Sequence, residues 1–253
     1  ITCSRGVFRQ LCSDTLLLPR PSLCLPICGC AVFPLVRWSG YGRRWRSYKL
    51  VCMWISPSLS LTGQLVRLEP LSLDHTDALI DAVRDGNLHT SWWTSTPGPD
   101  TMADDIRAKL ALRDSGAMVP FACIRRSNEE MLGVTTFYDL SPAIPRLEIG
   151  YTWTRASAQG TGTNPDSKLQ LLTYAFEELG CQCVGIRTKW SNQQSRTAIE
   201  RLGFKRDGVL RAHTRLRNGA LDDAVLYSAL PTEWPAIKAR LETRVERHVS
   251  NAH

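Results

Sequence analysis

Residues Gln159-Gly-Thr-Gly-Thr-Asn164 place two glycines and several hydroxyl and amide groups just before Pro165 and a helical pattern. Glycine lets the backbone approach a ligand closely, and successive N–H groups can converge on one anion. Asn164 suits a helix N-cap. Pro165 suits the first helical position, where its missing N–H costs nothing. The helix start adds unsatisfied donors and a positive dipole end, so the segment is built to hold a phosphate or pyrophosphate. A structural turn with a cap accounts for the same residues. No Gly-Lys-Ser/Thr follows, and the position three after Gly162 is Pro165. A Walker loop and the full dinucleotide-binding fingerprint are therefore both excluded.

Other reactive residue types are less organised. Cys24, Cys28 and Cys30 cluster, but no second cysteine pair or histidine follows at zinc-site spacing. His89 and His213 stand without a sequence partner, the usual mark of a structural histidine. Arg211, Arg215 and Arg217 alternate along one stretch, which reads first as a solvated strand face.

The elements that must position the phosphate loop follow an alternating order from residue 65. Leu65–Leu68 reads as a strand. Asp74–Val83 reads as a helix, with Ala78, Leu79, Ala82 and Val83 on one side. A loop over 86–99 carries Trp92 and Trp93, and Thr101 is placed to cap a helix reaching Asp114. Val119–Arg125 and Met131–Leu140 form a hairpin pattern, and Arg146–Thr154 is a further strand. Pro165–Leu179 is the clearest helix, followed by a strand over Val184–Lys189 and a helix over Asn192–Leu202 that stops at Gly203. Val209–Leu216 and Ala224–Leu230 flank the hairpin turn Arg217-Asn-Gly219, and a last helix covers Glu233–Arg247. Such an order gives a mixed α/β (α+β) sheet with flanking helices.

Charge divides the 253-residue chain. The formal net charge of +7 lies in residues 1–52, which hold eight Lys/Arg and one acid, whereas residues 53–253 hold 23 of each sign. A balanced body argues against nucleic acid as its partner. Six of nine cysteines also precede residue 53, and the other three read as reduced core thiols of an intracellular protein. The 1–52 segment is basic and rich in Cys, Pro and Arg. Four prolines and Arg20 interrupt its apolar stretch, which rules out a continuous membrane helix. Its composition is open to two readings: an organelle transit peptide, or a non-native or disordered upstream extension with Met53 as the true start. The second is the expectation, leaving 53–253 as one domain, cytoplasmic, monomeric or homodimeric.

The blocks Glu148-Ile-Gly-Tyr-Thr-Trp153, Gln159-Gly-Thr-Gly-Thr-Asn164 and Lys168–Leu179 resemble motif A of the GCN5-related N-acetyltransferases. Asn192-Gln-Gln-Ser195 with Ala198-Ile-Glu-Arg-Leu-Gly-Phe204 resembles motif B. Asp222-Asp-Ala-Val-Leu-Tyr227 looks like the end of the RimJ/RimL-like branch that acetylates ribosomal-protein N-termini. Asn164 departs from the family's final small residue, and Ile199 stands where many members carry a tyrosine.

The resemblance implies a mostly antiparallel sheet with one splayed parallel pair, and acetyl-CoA as co-substrate without a metal. The pyrophosphate would rest on Gln159, Gly160, Thr161, Gly162, Thr163 and Asn164, and the pantetheine arm would run along Tyr151, Thr152 and Trp153. Glu148 would be the general base, or else a strand carboxylate paired with an arginine such as Arg146. Asn192 would position the cofactor arm, cap its helix, or do both. Ser195 would serve the leaving thiolate in place of the missing tyrosine. Trp92 and Trp93 would shape the acceptor pocket, with only one expected to meet substrate. The acceptor would be a primary amine, on a protein N-terminus or a small molecule. The departures at Asn164 and Ile199 keep open a second reading, a non-catalytic acyl-CoA-binding module.

Overall fold

The structure, a computed structural model, describes residues 53–250 apart from Trp93. The expectations for residues 1–52 and for Trp93 lie outside the described residues.

Eight strands form one sheet in the order β1-β2-β3-β4-β5-β6-β8-β7. They are β1 Leu61–Thr62, β2 Val66–Pro70, β3 Met118–Arg125, β4 Met131–Ser141, β5 Arg146–Thr154, β6 Cys183–Lys189, β7 Lys205–Arg215 and β8 Leu221–Ala229. The helices are α1 Thr76–Arg84, α2 Met102–Asp114, α3 Thr163–Thr173, α4 Gln193–Leu202 and α5 Trp234–Ser250. Every neighbouring pair is antiparallel except β5 and β6. That pair is joined only at Arg146↔Cys183, Leu147↔Val184 and Glu148↔Gly185, although β5 runs on to Thr154 and β6 to Lys189. The two strands therefore splay beyond Glu148. The backbone groups of β5 after that point have no strand partner on the β6 side.

A bulge accompanies the splay. Between Val134↔Trp153 and Thr136↔Gly150, β5 carries one more residue than β4, and Tyr151 takes up the excess with φ 48°. A left-handed tyrosine is costly, and the bulge turns its side chain out of the ladder.

Two apolar cores cover the faces of the sheet. Leu147 and Ile149 of β5, Val184 and Ile186 of β6, Leu171 and Leu172 of α3, Ile199 of α4 and Leu241 of α5 share one. Leu79 and Val83 of α1, Met102 and Ile106 of α2, and Trp153 belong to the other. Residues 147 and 149 face α3–α5, so strand alternation sends Glu148 towards the α2 side.

Three expectations are adjusted. Gly162, not Asn164, occupies the N-cap of α3, with φ 83°, so the helix begins two residues early and Pro165 sits in its first turn. A left-handed glycine makes the sharp entry and takes the cap position expected of the asparagine. The helix expected to reach Leu179 is α-helical to Thr173 and then widens into a π-turn over Tyr174–Glu178. β7 begins at Lys205, because pairing with β8 extends to Lys205↔Ser228 beyond the apolar alternation that marked Val209.

Candidate active site

The splay opens a cleft of about 880 Å³ that runs between β5 and β6 and reaches α3, α4, α5 and the segment before α2. Of the residues singled out in the sequence, Tyr151, Thr152, Trp153, Gln159, Gly160, Gly162, Asn164, Asn192 and Ser195 line it together. Thr161 and Thr163 do not line it. Thr161 Oγ1 donates to Ala158 O at 2.7 Å and lies 3.1 Å from Thr163 Oγ1, which holds the turn closed from within.

The loop is wedged in place. A side chain on Gly162 would come within 2.7 Å of Leu65 Cδ1 and 2.9 Å of His248 Cβ, so both the left-handed φ and the space demand glycine. Gln159 spans the cleft floor, donating to Thr154 O at 3.0 Å and accepting from Gln194 Nε2 at 3.3 Å. Asp166, almost fully buried, accepts from the backbone N–H of Gln64, Leu65 and Val66 at 3.2, 2.7 and 2.8 Å. Those bonds pin the start of β2 to α3. The N–H groups of Thr163 and Asn164 belong to the first turn of α3, where no intrahelical acceptor is available.

Asn192 caps α4, with Oδ1 accepting from Ser195 N at 3.0 Å. The cap leaves the Asn192 amide donors free for a ligand, so its two expected roles are compatible. Ser195 sits half-buried in the first turn of α4, and among the described residues its hydroxyl has no partner.

Glu148 is 8% exposed and does not line the cleft. Arg187 Nη2 donates to its Oε1 at 2.7 Å and the Tyr138 hydroxyl donates to its Oε2. Tyr138 and Arg187 do line the cleft and stand in front of the carboxylate. Arg146, the arginine considered as its partner, instead pairs with Asp139 at 2.8 Å, because register places Glu148 opposite Gly185 and leaves Arg187 nearest. Burial, reinforced by the Glu148 hydrogen bond, raises the Tyr138 phenol above its usual range, so it remains a donor.

Trp92 is 48% exposed and does not line the cleft. The same loop contributes Leu88, Ser91 and Thr94–Pro97 instead. Arg217 fastens that loop from the β7–β8 turn by donating to His89 O and Thr96 O.

Several cleft residues were missed in the sequence. Lys168 of α3 is 4% exposed and donates to Thr135 Oγ1 at 3.3 Å and Thr152 Oγ1 at 3.2 Å, with no carboxylate in ion-pair range among the described residues. Burial pulls its ammonium down to about 8. No sequence signal marked it, because Asp166, Ser167 and Lys168 read together as the polar side of a helix. Lys109 of α2 pairs with Asp105 and lies 5.7 Å above the Tyr151 ring. Arg201, Arg244 and His248 line the end of the cleft near the phosphate loop. Burial lowers the Arg244 pKa, and the neighbouring Arg201, Arg240 and Arg247 lower it further. In all, Lys109, Lys168, Arg187, Lys189, Arg201 and Arg244 line the cleft, and among the described residues no Asp or Glu does.

This surface fits a ligand like coenzyme A. It offers anion-binding amides, a cationic end, and an open strand edge along Ile149–Thr154 for an extended amide-bearing arm.

Comparison with known proteins agrees with this geometry. The Acetyltransferase (GNAT) domain model matches residues 66–205. The protein named "Putative ribosomal N-acetyltransferase YdaF" of Bacillus subtilis is 35% identical over 108 residues, which cover 43% of this chain and 58% of that relative. The match thus spans less than two thirds of that relative's length. A GCN5-related N-acetyltransferase structure from Brucella melitensis superposes with TM-score 0.65 at 25% identity, covering 74% of this chain and 85% of that one. Mycobacterium smegmatis RimJ in complex with CoA-disulfide shares the fold, with TM-score 0.63 at 20% identity and coverage of 74% and 94%. Its fold, its cleft and the matched model together make this chain a member of the GNAT acetyltransferase-domain family.

Proposed function

We propose that the protein transfers the acetyl group of acetyl-CoA to a primary amine by direct attack of the amine on the thioester. The observation that carries this reading is the unpaired β5 edge from Ile149 to Thr154, which leads from the phosphate loop to Glu148. Gly160 to Asn164 hold the pyrophosphate through backbone N–H groups and the α3 terminus. The pantetheine amides pair along Tyr151–Trp153 like an added strand.

An amine must be neutral to attack. Glu148 is the base, and its proton arrives through Tyr138: the ammonium proton passes to the phenol oxygen as the phenol proton passes to Oε2. The nitrogen then bonds to the carbonyl carbon, the C–S bond breaks, and the thiolate takes a proton at Ser195 or from water beside the α4 N-terminus. Asn192 steadies the arm. The acceptor is a protein N-terminus, in keeping with the RimJ/RimL-like relatives, or a small amine. The location that suits an acetyl-CoA-dependent enzyme is the cytoplasm.

The test is thiol release from acetyl-CoA with a panel of amines, run beside a direct measurement of CoA binding. Release that depends on both an amine and Glu148 supports the reading. CoA binding without release on any amine would favour the non-catalytic acyl-CoA-binding module.

A further inference from the structure

The two ends of the cleft have different tasks. Arg201, Arg244 and His248 gather beside the phosphate loop, on the side of the sheet covered by α3–α5. Lys109, Arg187 and Lys189 line the other end, with Tyr138 and the segment Thr94–Pro97. Val184 and Ile186 face the α3–α5 core, so residues 187 and 189 of β6 turn to the opposite face, about 7 Å apart by strand rise.

Carboxylates near this end are kept out of the cavity. Glu148 stands behind Arg187, and that pair is oriented cation outward: the arginine side chain is 32% exposed and the carboxylate 10%. Asp105 neutralises Lys109 yet does not line the cleft. Among the described residues, the buried Arg187 Nε has no hydrogen-bond partner. Lys189 Nζ donates to Ser95 Oγ at 3.4 Å, and burial lowers its pKa against the opposing pull of Asp222, which does not line the cleft.

We propose that the acceptor is a primary amine that itself carries a carboxylate, seated on Arg187 and Lys189 with the Ser95 hydroxyl, and that polycationic amines are poor acceptors. This rests on the acetyl-transfer reading above. An ammonium arriving with further positive charges would face a cationic wall with no carboxylate in it, whereas a carboxylate meets two cations while its amine reaches Tyr138. Free amino acids and acidic chain N-termini share this chemistry. The transfer is unchanged: the N–C bond forms, the C–S bond breaks, the amine proton leaves towards Glu148, and the thiolate is protonated.

The test uses the full chain and measures thiol release with Ser-Asp-Glu-Asp-amide, Ser-Asn-Gln-Asn-amide and Ser-Lys-Arg-Lys-amide, and with serine, serinamide and spermidine. The expected kcat/KM for the acidic peptide exceeds that for the basic one roughly tenfold or more at low salt, and the gap narrows as salt rises. Serine outrunning serinamide by a similar ratio identifies the α-carboxylate as the recognised group. Lys189→Glu inverts the peptide preference and Lys189→Gln flattens it, both without change in the KM for acetyl-CoA. Spermidine or the basic peptide matching the acidic one overturns the acceptor assignment and leaves acetyl transfer standing. No release with any of the six amines, with CoA still bound, overturns both.

Discussion

Tyr138 lies directly across the β4–β5 ladder from Glu148 and donates its hydroxyl to that carboxylate, while Arg187 holds the other oxygen from across the splay at 2.7 Å. The carboxylate is thus reached from the cleft through a phenol. On the proposed mechanism Glu148→Gln removes the proton acceptor, so kcat is expected to fall roughly a hundredfold or more with the KM for acetyl-CoA little changed. Tyr138→Phe, which keeps the ring and deletes the relay, should lower kcat to a similar degree. Steady-state kinetics check both, and a Tyr138→Phe enzyme with full kcat would remove the phenol from the proton path.

Lys168 ties stability to pH. Its ammonium loses the proton at about 8 in the fold against 10.5 when unperturbed, because burial disfavours the charge. Between those values the unfolded chain binds more protons, so stability rises with pH across the window; below about 8 the full penalty is present. At ~1.4 kcal/mol per pK unit the penalty is on the order of 3 kcal/mol. Lys168→Met should therefore be the more stable protein at pH 7 and should lose the rise between pH 8 and 10.5. Urea midpoints at several pH values decide it. Thr135 and Thr152 already bond each other at 2.8 Å, so the substitution need not orphan either hydroxyl.

Asp166 is a structural carboxylate. Replacing it with alanine orphans three backbone donors at the start of β2. At about 1–3 kcal/mol for each buried unsatisfied group, a loss of about 3 kcal/mol or more is expected. Asp166→Asn should recover only part of it, since an amide offers one acceptor oxygen in place of two. Chemical denaturation measures the difference.

Arg244→Ala is expected to raise the KM for acetyl-CoA about three- to tenfold with little effect on kcat, and to weaken its salt dependence. The neighbouring arginines repel Arg244, so the relief should leave folding stability equal or slightly improved. An unchanged KM would show that the phosphates do not reach this end of the cleft.

Much of the architecture could be read from local pattern. The order of strands and helices, the Asn192 cap and the Gly219 turn follow from spacing and residue type. The partners of Glu148 could not be read this way, because they depend on register: Tyr138 opposes it on β4, and Arg187 follows its neighbour Gly185 on β6. Lys168 and Asp166 look in sequence like the polar side of a helix, and only packing against β2 and the bulge shows that they are buried. The loop that carries Trp92 does reach the cleft, but which of its residues line it depends on a path fixed by Arg217 from a distant hairpin.

The contact between Gly162 and His248 also bears on the order in which the protein is made. Synthesis delivers the phosphate loop and strands β1–β6 well before the last helix, and nascent domains fold as their parts emerge. Until residue 248 has left the ribosome, nothing backs the loop on that side. Nucleotide binding then favours molecules whose final helix is in place, since a ligand stabilises only the state that binds it. Chains cut short within α5 should accordingly retain much of their secondary structure, lose retention on immobilised CoA, and be the first removed by proteases.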